Sequence, residues 1–444
     1  MRIVSQVASA MQVVFGTTLN DLSRVTGCVQ RQRKFSGMLL VRTFVLTLLQ
    51  RPAAKTRDFR AMAAKLGVRV TEKAIGQRFT DRLVQFLQEV LNRVVAHTLA
   101  VKSVPATLLQ KFSDVRIGDS TTISLPDELE GQFPGCGGTG KTGKAALKIQ
   151  VLWSLVTGQL LKWAIEPGRA SDANSEIAAA IPPPRSLSIF DLGYFSLQRF
   201  ARIGKAAAFW ISRLQHHTTV FDEQGQLLAL LPFLRKYGTH GLVDVAVLLG
   251  ENERLACRLI AVRVPAETAA RRRQQIREKS RKHGHQPSRE YLALQAWTIY
   301  VTNCPAKLLG WKEVVVLYRA RWQIELLFKL WKSHNHLGAR EIDASPQRQM
   351  AVLYAKLIGV IVQHWILLTA VWSDGQRSLR KTAAIVRDWV VLVGEALDDR
   401  RRLRDLLRRL HRAIGDAARI TCRRKHPSLF QLLDNPELLE YIVA

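Results

Sequence analysis

The spacing of apolar residues changes along the chain, and this change limits the folds that the sequence can adopt. In GMLLVRTFVLTLLQ and LVQFLQEVLNRVVAHTLA, apolar residues recur three and four positions apart, which predicts amphipathic helices up to about residue 105. From about residue 113 the period becomes two, and DVRIGDSTTISL and KAALKIQVLWSLV both alternate as strands do. The second of these runs passes through a turn at 157–159 into LLKWAIE, which predicts a β-hairpin.

The next segments alternate strands with helices. The short apolar run LSIFD ends at Asp191, FSLQRFARIGKA follows as an amphipathic helix, and AFWISRL is a further strand. Hairpin strands followed by such an alternation predict an α/β chain with a mixed sheet. Residues 214–300 carry short strands and a basic helix, which predict a separate β-rich insertion before WTIYVTN returns to the sheet. A long helix is expected from about Lys312 to His334, and the remainder is helical.

The charge balance points to a polyanionic partner. The 444 residues include 66 Lys and Arg against 36 Asp and Glu, a formal net charge of +30. The positive charges of a surface this basic repel each other unless they meet a polyanion. Binding to nucleic acid is favoured further because neutralised phosphates release condensed counterions. Nucleic acid is therefore the predicted partner. The arginine-rich runs 271–282 and 400–409 are either solvated helix faces or contacts to phosphates.

Cysteine usage and hydropathy exclude two further classes. The five cysteines form no C-x-x-C pair, which excludes a disulfide framework and a cysteine-zinc site and fits a reducing, cytoplasmic location. The most apolar run, Leu357 to Trp372, reaches only about 16 residues, short of the roughly 20 that span a bilayer, and predicts a buried core helix. The paired histidines lack the spacing of zinc ligands.

Three carboxylates stand where an α/β fold could bring them together. Asp119 lies in the first strand of the sheet, Asp191 ends a strand at the edge where α/β active sites usually open, and Glu325 lies within the long helix. Hard oxygen donors without His or Cys suit Mg²⁺ or Mn²⁺, and two such ions can hold the attacking and leaving oxygens of a phosphoryl displacement. Taken singly, each carboxylate is more often a cap, turn or surface residue.

The long helix strengthens the case for a site. Its residues Tyr318, Arg321, Glu325, Lys329 and Lys332 step by three, four, four and three, which places all five on one face. A stripe of this composition is a poor core and a good surface for phosphates and a metal ion. The alternative is a solvated face with Glu–Lys pairs one turn apart.

The same helix carries a resemblance to a known family. Tyr318, Arg321, Glu325 and Lys332 match the Y-x2-R-x3-E-x6-K signature of the insertion-sequence-four family of DDE transposases without departure. IGDSTTISLP, FDLGYFS and YVTNCP resemble the segments of that family around the first aspartate, around the second aspartate and before the signature helix. The similarity extends over nearly the whole chain.

The resemblance implies a fold and an activity. The fold is an RNase H-like core interrupted by a β-rich insertion between Asp191 and Glu325, with helical N- and C-terminal regions. The activity is cut-and-paste transposition, in which Asp119, Asp191 and Glu325 bind Mg²⁺ or Mn²⁺ while strands are nicked, a DNA hairpin forms and opens, and the end joins target DNA. Tyr318, Arg321 and Lys332 would grip phosphates near the hairpin, with Lys329 beside them.

The resemblance also implies partners and an aromatic contact. The chain would act on double-stranded DNA, the transposon ends and the target, as a homodimer that pairs two ends. Trp297 would stack on a base flipped out of the duplex, since base–aromatic stacking is worth about 1–3 kcal/mol. Trp297 could instead be a core residue, and Trp210, in an apolar strand, is expected to be core.

We therefore expect five regions. They are a helical N-terminal DNA-binding region at 1–105, core parts at 106–213 and 301–345, the β-rich insertion at 214–300, and a helical C-terminal region at 346–444 that is a candidate for dimerisation. Within the first region, DFRAMAAKLGVRVTEKAIGQRF is either a helix-turn-helix around Gly67 or two packed helices with a glycine cap.

Two other functions remain open on the sequence. Residues 135–142, GCGGTGKT, satisfy the G-x-x-x-x-G-K-[ST] pattern of a phosphate-binding P-loop, which would make the chain an ATPase that acts on nucleic acid. That loop must follow a buried strand and open a helix, whereas here EGQFP precedes it and an alternating run follows. A hairpin loop is therefore the favoured interpretation. The other open function is that of a DNA-binding protein without catalytic activity.

Overall fold

The structure is a computed structural model, and it describes residues 2–31, 33–97, 99, 103–137, 144–339, 344–370, 372, 377–420 and 427–439. The N-terminal part is helical, as the apolar spacing predicts. Its helices are α1 (Arg2–Val14), α2 (Thr18–Val25), α3 (Gly37–Gln50), α4 (Thr56–Lys65), α5 (Glu72–Gly76) and α6 (Asp81–Ala96). Gly67, with φ of +82°, joins α4 to the five-residue α5, and a role of this pair in DNA binding stays a prediction.

The described part of the chain contains one mixed sheet of nine strands, which confirms the α/β prediction. Its strands are β1 (Val115–Ser124), β2 (Ala146–Ser154), β3 (Leu160–Pro167), β4 (Leu187–Phe190), β5 (Phe209–Arg213), β6 (Val220–Phe221), β7 (Leu242–Leu249), β8 (Leu255–Arg263) and β9 (Trp297–Thr302). The helices between them are α7 (Glu176–Ala179), α8 (Leu197–Lys205), α9 (Leu230–Tyr237), α10 (Ala266–Lys282) and α11 (Arg289–Leu294). The spatial order is β3-β2-β1-β4-β5-β9-β8-β7-β6.

The first half of the sheet holds the predicted hairpin and two parallel pairings. β2 pairs antiparallel with both β1 and β3, and Gly158 adopts a φ of +74° in the turn between β2 and β3. β4 runs parallel to β1 and to β5. Parallel neighbours end at the same edge of a sheet, so the segments that follow β4 and β5 lie on one side of the molecule.

The β-rich stretch at 214–300 extends this sheet rather than forming a sheet of its own. β9 pairs antiparallel with β5 on one side and with β8 on the other, and β7 and β6 follow outward. The separate β-rich unit expected from the sequence is therefore hydrogen-bonded into the central sheet, because the returning strand β9 bridges the two halves.

The long helix expected from about Lys312 to His334 occupies that span but is not uniform. It consists of α12 (Trp311–Ala320) and α13 (Trp322–Lys329), followed by a π-helical turn at Leu330–His334. Arg321 stands at the junction with helical φ and ψ. Because a π-turn has a wider hydrogen-bond spacing than an α-helix, it changes the direction in which Lys332 projects.

The C-terminal helices are α14 (Pro346–Ala370), α15 (Leu379–Ala396), α16 (Arg400–Ala417) and α17 (Leu429–Asp434). With 25 residues, α14 is longer than the sequence indicates, and by length and composition alone it would pass as a membrane span. It is almost entirely buried among other helices, including α3 and α6, so the prediction of a core helix is confirmed.

Helices from the two ends of the chain pack in one layer. α1 contacts α16, and α3 contacts both α14 and α15. The buried guanidinium of Arg42 donates two hydrogen bonds to Asp398, at 2.9 and 2.8 Å, and a third to the carbonyl of Phe15 at 3.0 Å. Such bidentate charge-assisted contacts fix the geometry of the two termini relative to each other.

The same layer holds the β2–β3 turn. The carbonyl of Gly158 accepts hydrogen bonds from the Trp153 indole and from Nε2 of His364 on α14, each at 2.7 Å. His364 is only 3% exposed, and among the residues that the structure describes its Nδ1 has no hydrogen-bond partner. Burial lowers the pKa of His364 to about 4, although the hydrogen bond to Gly158 opposes that change.

This buried histidine predicts a loss of stability in mild acid. An unfolded histidine titrates near 6.5, so as the pH falls below that value the unfolded state takes up the proton before the folded state does. Between pH 7.5 and 5 the wild-type protein should lose about 2 kcal/mol more unfolding free energy than the His364→Gln variant. Urea unfolding followed by tryptophan fluorescence measures both, and equal pH dependence would show that His364 is not held neutral.

Candidate active site

The register of the sheet places two of the predicted carboxylates side by side. In the parallel pair, Gly118 of β1 lies opposite Phe190, the last residue of β4, so that Asp119 and Asp191 follow one step further on. A side chain at position 118 would crowd the Phe190 ring, because a Cβ atom there would stand 3.3 Å from it. Asp119 sits within β1 opposite Val151, and Asp191 is the first residue after β4.

Helix α13 packs against β1 and positions Glu325 near the two aspartates. The contact that unites the three carboxylates is the guanidinium of Arg321. Its Nη1 lies 3.3 Å from Oδ2 of Asp119, its Nη2 lies 2.6 Å from Oε1 of Glu325, and its Nε lies 3.9 Å from Oδ1 of Asp191. The three carboxylates that the sequence singled out therefore meet around one cation.

The electrostatics of the cleft follow from this arrangement. Burial raises the pKa of Asp119 to about 6, against the lowering effect of the Ser120 N–H, which donates at 2.8 Å, and of Arg321. Asp191 and Glu325 raise that pKa further by repulsion. Burial acts to lower the pKa of Arg321, but the surrounding acidic groups raise it overall. The charged form of Asp119 is thus favoured by Arg321 and disfavoured by Asp191 and Glu325.

The donor set fits a hard divalent cation. Three carboxylates without His or Cys match the ligand preference of Mg²⁺ or Mn²⁺. In this structure the Arg321 guanidinium supplies the positive charge that balances the three carboxylates. Within the described ranges, no group of three His, Cys, Asp or Glu side chains lies close enough together to hold an ion. A cation held by Asp119, Asp191 and Glu325 would compete for them with the Arg321 guanidinium.

Further cationic and hydroxyl groups line the same cleft. Lys329, Lys332 and Ser333 face it from the end of α13 and the π-turn, and Ser120 and Thr121 face it from β1. Burial lowers the pKa of Lys332. Four members of the predicted helix stripe, Arg321, Glu325, Lys329 and Lys332, therefore share the cleft.

Tyr318 and Trp297 lie differently from the other predicted residues. Tyr318 is 8% exposed and packs on Tyr300, so it faces inward rather than along an open stripe. Trp297 begins β9, is also 8% exposed, and its ring closely approaches Gly238. Stacking of Trp297 on a base stays a prediction and requires the indole to leave this packing. Trp210 is fully buried and stacks on Phe200 at 4.1 Å, so its assignment to the core is confirmed.

A buried polar network that the sequence analysis did not identify supports the loop after Asp191. Tyr194 donates to Gln150, and Gln150 donates to Glu166 and Asp172 at 3.2 and 3.0 Å. Arg199 donates to three carbonyls around this loop. The signal available in the sequence was Gln150, a polar residue in the middle of an apolar strand.

The residues on either side of the P-loop-like segment pair with each other as in a β-hairpin. Residues 138–143 lie outside the described part of the chain, but Pro134 bridges Ala145 and the Gly135 N–H donates to Lys144 O at 2.7 Å. The described residues then continue into strand β2, whereas a P-loop opens a helix whose N–H groups bind phosphate. Among the histidines, the His216 ring contacts those of His217 and Tyr291 edge to face, and within the described chain it belongs to no group of three side chains that could hold a metal ion.

Comparison with known proteins adds independent information. The model of the transposase DDE domain matches residues 110–356, more than half of the chain. The transposase for insertion sequence element IS231F of Bacillus thuringiensis subsp. israelensis is 26% identical, over 94% of this chain and 92% of that protein. The transposase for insertion sequence element IS1151 of Clostridium perfringens is 25% identical, over 67% of each chain. In both cases the similarity extends over at least two thirds of the relative.

The position of Arg321 predicts competition with a divalent cation. Each hydrogen bond to a charged group is worth about 1.5–3 kcal/mol, so Arg321→Ala should tighten Mn²⁺ binding roughly tenfold in the absence of DNA. Asp119→Asn should weaken it. Electron paramagnetic resonance of free Mn²⁺ during titration measures both affinities, and weaker binding in the Arg321→Ala variant would mean that the guanidinium organises the carboxylates rather than competing for them.

Proposed function

Because the chain belongs to the transposase DDE domain family, we propose that Asp119, Asp191 and Glu325 are its catalytic carboxylates and hold a divalent metal. The chain is a DNA-cleaving and DNA-joining enzyme, a transposase of an insertion sequence similar to the insertion-sequence-four family. The DDE domain implies an RNase H-like core within the mixed sheet. The family generally uses divalent metal, and the oxygen-only donor set favours Mg²⁺ or Mn²⁺ here.

One observation carries this proposal: a single guanidinium contacts carboxylates from three separate parts of the chain. Acidic groups repel each other in a partly buried cleft, so their collection at one point is costly and points to a function. The two aspartates come from neighbouring parallel strands and the glutamate from a helix that packs against the first of them. A structural cluster would need no such convergence at an open cleft.

The proposed reaction is cut-and-paste transposition. A divalent metal held by Asp119, Asp191 and Glu325 would supply a Lewis acid next to the attacking and leaving oxygens. Water nicks the transposon end, the freed 3′-hydroxyl attacks the opposite strand to form a hairpin, and a second water opens it. The end then attacks the target. Lys329 and Lys332 face the same cleft and would hold phosphates beside the carboxylates, while Arg321 and Tyr318 would contact the strand near the hairpin.

Further parts of the proposal concern the substrate and the assembly. We infer that the substrate is double-stranded DNA in the bacterial cytoplasm, with Trp297 stacking on an extruded base. A homodimer would pair two ends, with the C-terminal helices as the interface. We also infer that strands β6–β8 with α9 and α10 are the insertion between Asp191 and Glu325, since chain order places them between β5 and the signature helix.

The direct test is the loss of nicking without the loss of DNA binding. Asp119→Asn keeps the shape of the side chain but removes the charge, so Mg²⁺-dependent nicking of DNA that carries the terminal repeats should fall at least about a hundredfold, as expected when transition-state charge stabilisation is lost. Gel electrophoresis measures nicking and fluorescence anisotropy measures binding. The matched control is Asp416→Asn, an exposed aspartate near the end of α16.

Other results of the nicking and binding assays would indicate an alternative function. Nicking that is unchanged in the Asp119→Asn variant would contradict the metal assignment. Binding without nicking in the wild-type protein would indicate a DNA-binding protein without catalysis. ATP-dependent activity that survives Asp119→Ala and is lost in Lys141→Ala would indicate an ATPase.

A further inference from the structure

A buried tyrosine lies next to the carboxylate cleft without belonging to it. Tyr194 ends the short turn Leu192–Tyr194 that directly follows Asp191, and its N–H donates to the Asp191 carbonyl at 3.0 Å. The residue is only 1% exposed, so it offers no surface to a DNA strand. Its hydroxyl donates a hydrogen bond to Oε1 of Gln150 on β2. The side chain therefore links the turn after Asp191 to a strand of the central sheet.

Gln150 connects this tyrosine to the strand that carries the other aspartate. In the antiparallel pairing of β2 with β1, Gln150 lies opposite Ser120, the residue after Asp119. Burial, followed by the charges of Asp172 and Asp119, raises the pKa of Tyr194, whereas a hydrogen bond with the Ser120 side chain acts to lower it. Tyr194 thus contacts the neighbour of one aspartate while its backbone is bonded to the other.

Two carboxylates fix the orientation of the Gln150 amide. Its Nε2 lies 3.2 Å from Oε2 of Glu166 and 3.0 Å from Oδ1 of Asp172, and an ionised carboxylate only accepts hydrogen bonds. The NH₂ group must face these two acceptors, which leaves Oε1 to accept from Tyr194. Gln150 is fully buried, so water does not compete for either end of the amide. The acceptor for the tyrosine hydroxyl is therefore held in one orientation.

An arginine holds the same turn from its backbone side. Arg199 is 3% exposed, and its Nε and Nη2 donate to two carbonyls within residues 173–178, at 2.9 and 2.7 Å. Its Nη1 donates to the carbonyl of Tyr194. Within the turn, Gly193 approaches Asp172 so closely that a Cβ atom would lie 3.3 Å from Oδ2. Tyr194 is thus bonded through its N–H, its carbonyl and its hydroxyl, which leaves the turn little freedom to shift.

The glutamate of the cleft has no part in this arrangement. Glu325 stands on α13, and its carboxylate accepts a hydrogen bond from Nη2 of Arg321 at 2.6 Å. Among the described residues, no hydrogen bond joins α13 to Tyr194 or to Gln150. A change at Tyr194 should therefore displace Asp191 but leave Glu325 in place.

We propose that Tyr194 is a positioning residue, which through Gln150 holds Asp191 at the spacing from Asp119 at which the two carboxylates share one divalent cation. The assignment rests on the proposed function. Removal of an outer group that orients a metal ligand typically weakens metal binding about 10- to 100-fold. Because Tyr194 acts on Asp191 through the turn and not through a bond to its carboxylate, the expected effect is the lower of these values.

Mn²⁺ binding by paired variants tests the proposal without a catalytic readout. Tyr194→Phe keeps the ring and removes the hydroxyl, so the protein should bind Mn²⁺ about tenfold more weakly in the absence of DNA, measured by electron paramagnetic resonance of free Mn²⁺. In an Asp191→Asn background, Tyr194→Phe should cause no further loss, because the ligand that it positions is no longer present. In a Glu325→Gln background, the loss of about tenfold should remain.

Two further variants make the result specific. Tyr354→Phe removes the hydroxyl of another tyrosine that is 1% exposed, in α14, and should leave the Mn²⁺ affinity unchanged. Gln150→Met removes the acceptor on β2 and should reproduce both the loss and its dependence on Asp191. The proposal is overturned if the folded Tyr194→Phe variant binds Mn²⁺ as the wild type does. It is also overturned if the loss is equal in the Asp191→Asn and Glu325→Gln backgrounds, which would indicate a general loosening of the fold.

Hydrogen–deuterium exchange in EDTA separates this inference from the proposed function. If the wild-type protein binds no Mn²⁺, the metal assignment fails. Faster exchange of residues 191–195 in Tyr194→Phe than in Tyr354→Phe would then still support the positioning of Asp191, and equal exchange would reject it. If the wild-type protein binds Mn²⁺ and Asp119→Asn weakens that binding while Tyr194→Phe does not, only the positioning role is lost.

Discussion

The contact between Arg321 and the three carboxylates is the constraint on which the rest of the structure depends. Asp119, Asp191 and Glu325 repel each other, and burial of Asp119 makes its charge more costly. They stay together because one guanidinium reaches all of them. That reach in turn depends on the parallel register of β1 and β4, on the absence of a side chain at Gly118, and on the packing of α13 against β1. A divalent cation held by the same three carboxylates would compete for them with Arg321.

The local elements could be predicted because their signals are local. Period-two alternation identified β1 and the β2–β3 hairpin, and Gly158 in fact supplies the positive φ that this turn needs. Asp191 was placed at a strand end from the short apolar run alone. The signature helix was recognised from the spacing of Tyr318, Arg321 and Glu325, and the helix face did bring Glu325 to Asp119. These features depend on residues within one turn or one strand.

The features that could not be predicted depend on distant pairings. The sequence analysis returned WTIYVTN to the central sheet, but nothing in the stretch 214–300 indicates that this strand, β9, pairs with both β5 and β8. The contact of Arg42 with Asp398 joins residues at opposite ends of the chain. Tyr318 lies on the expected helix face by spacing, yet it turns inward because Tyr300 of β9 packs against it. Hydrophobic periodicity gives the orientation of an element but not its neighbours, and here the neighbours decide which side chains reach the cleft.

The central claim is that a divalent cation binds between Asp119, Asp191 and Glu325, and iron-directed cleavage of the protein itself tests it most directly. Fe²⁺ bound in place of Mg²⁺ generates hydroxyl radicals that cut the backbone next to the ion, and mass spectrometry locates the cuts. The account predicts cuts close to residues 119, 191 and 325 that excess Mg²⁺ suppresses and that Asp119→Asn weakens at all three places together. Cuts at other positions, or cuts near only one of the three that Mg²⁺ leaves unchanged, would contradict it.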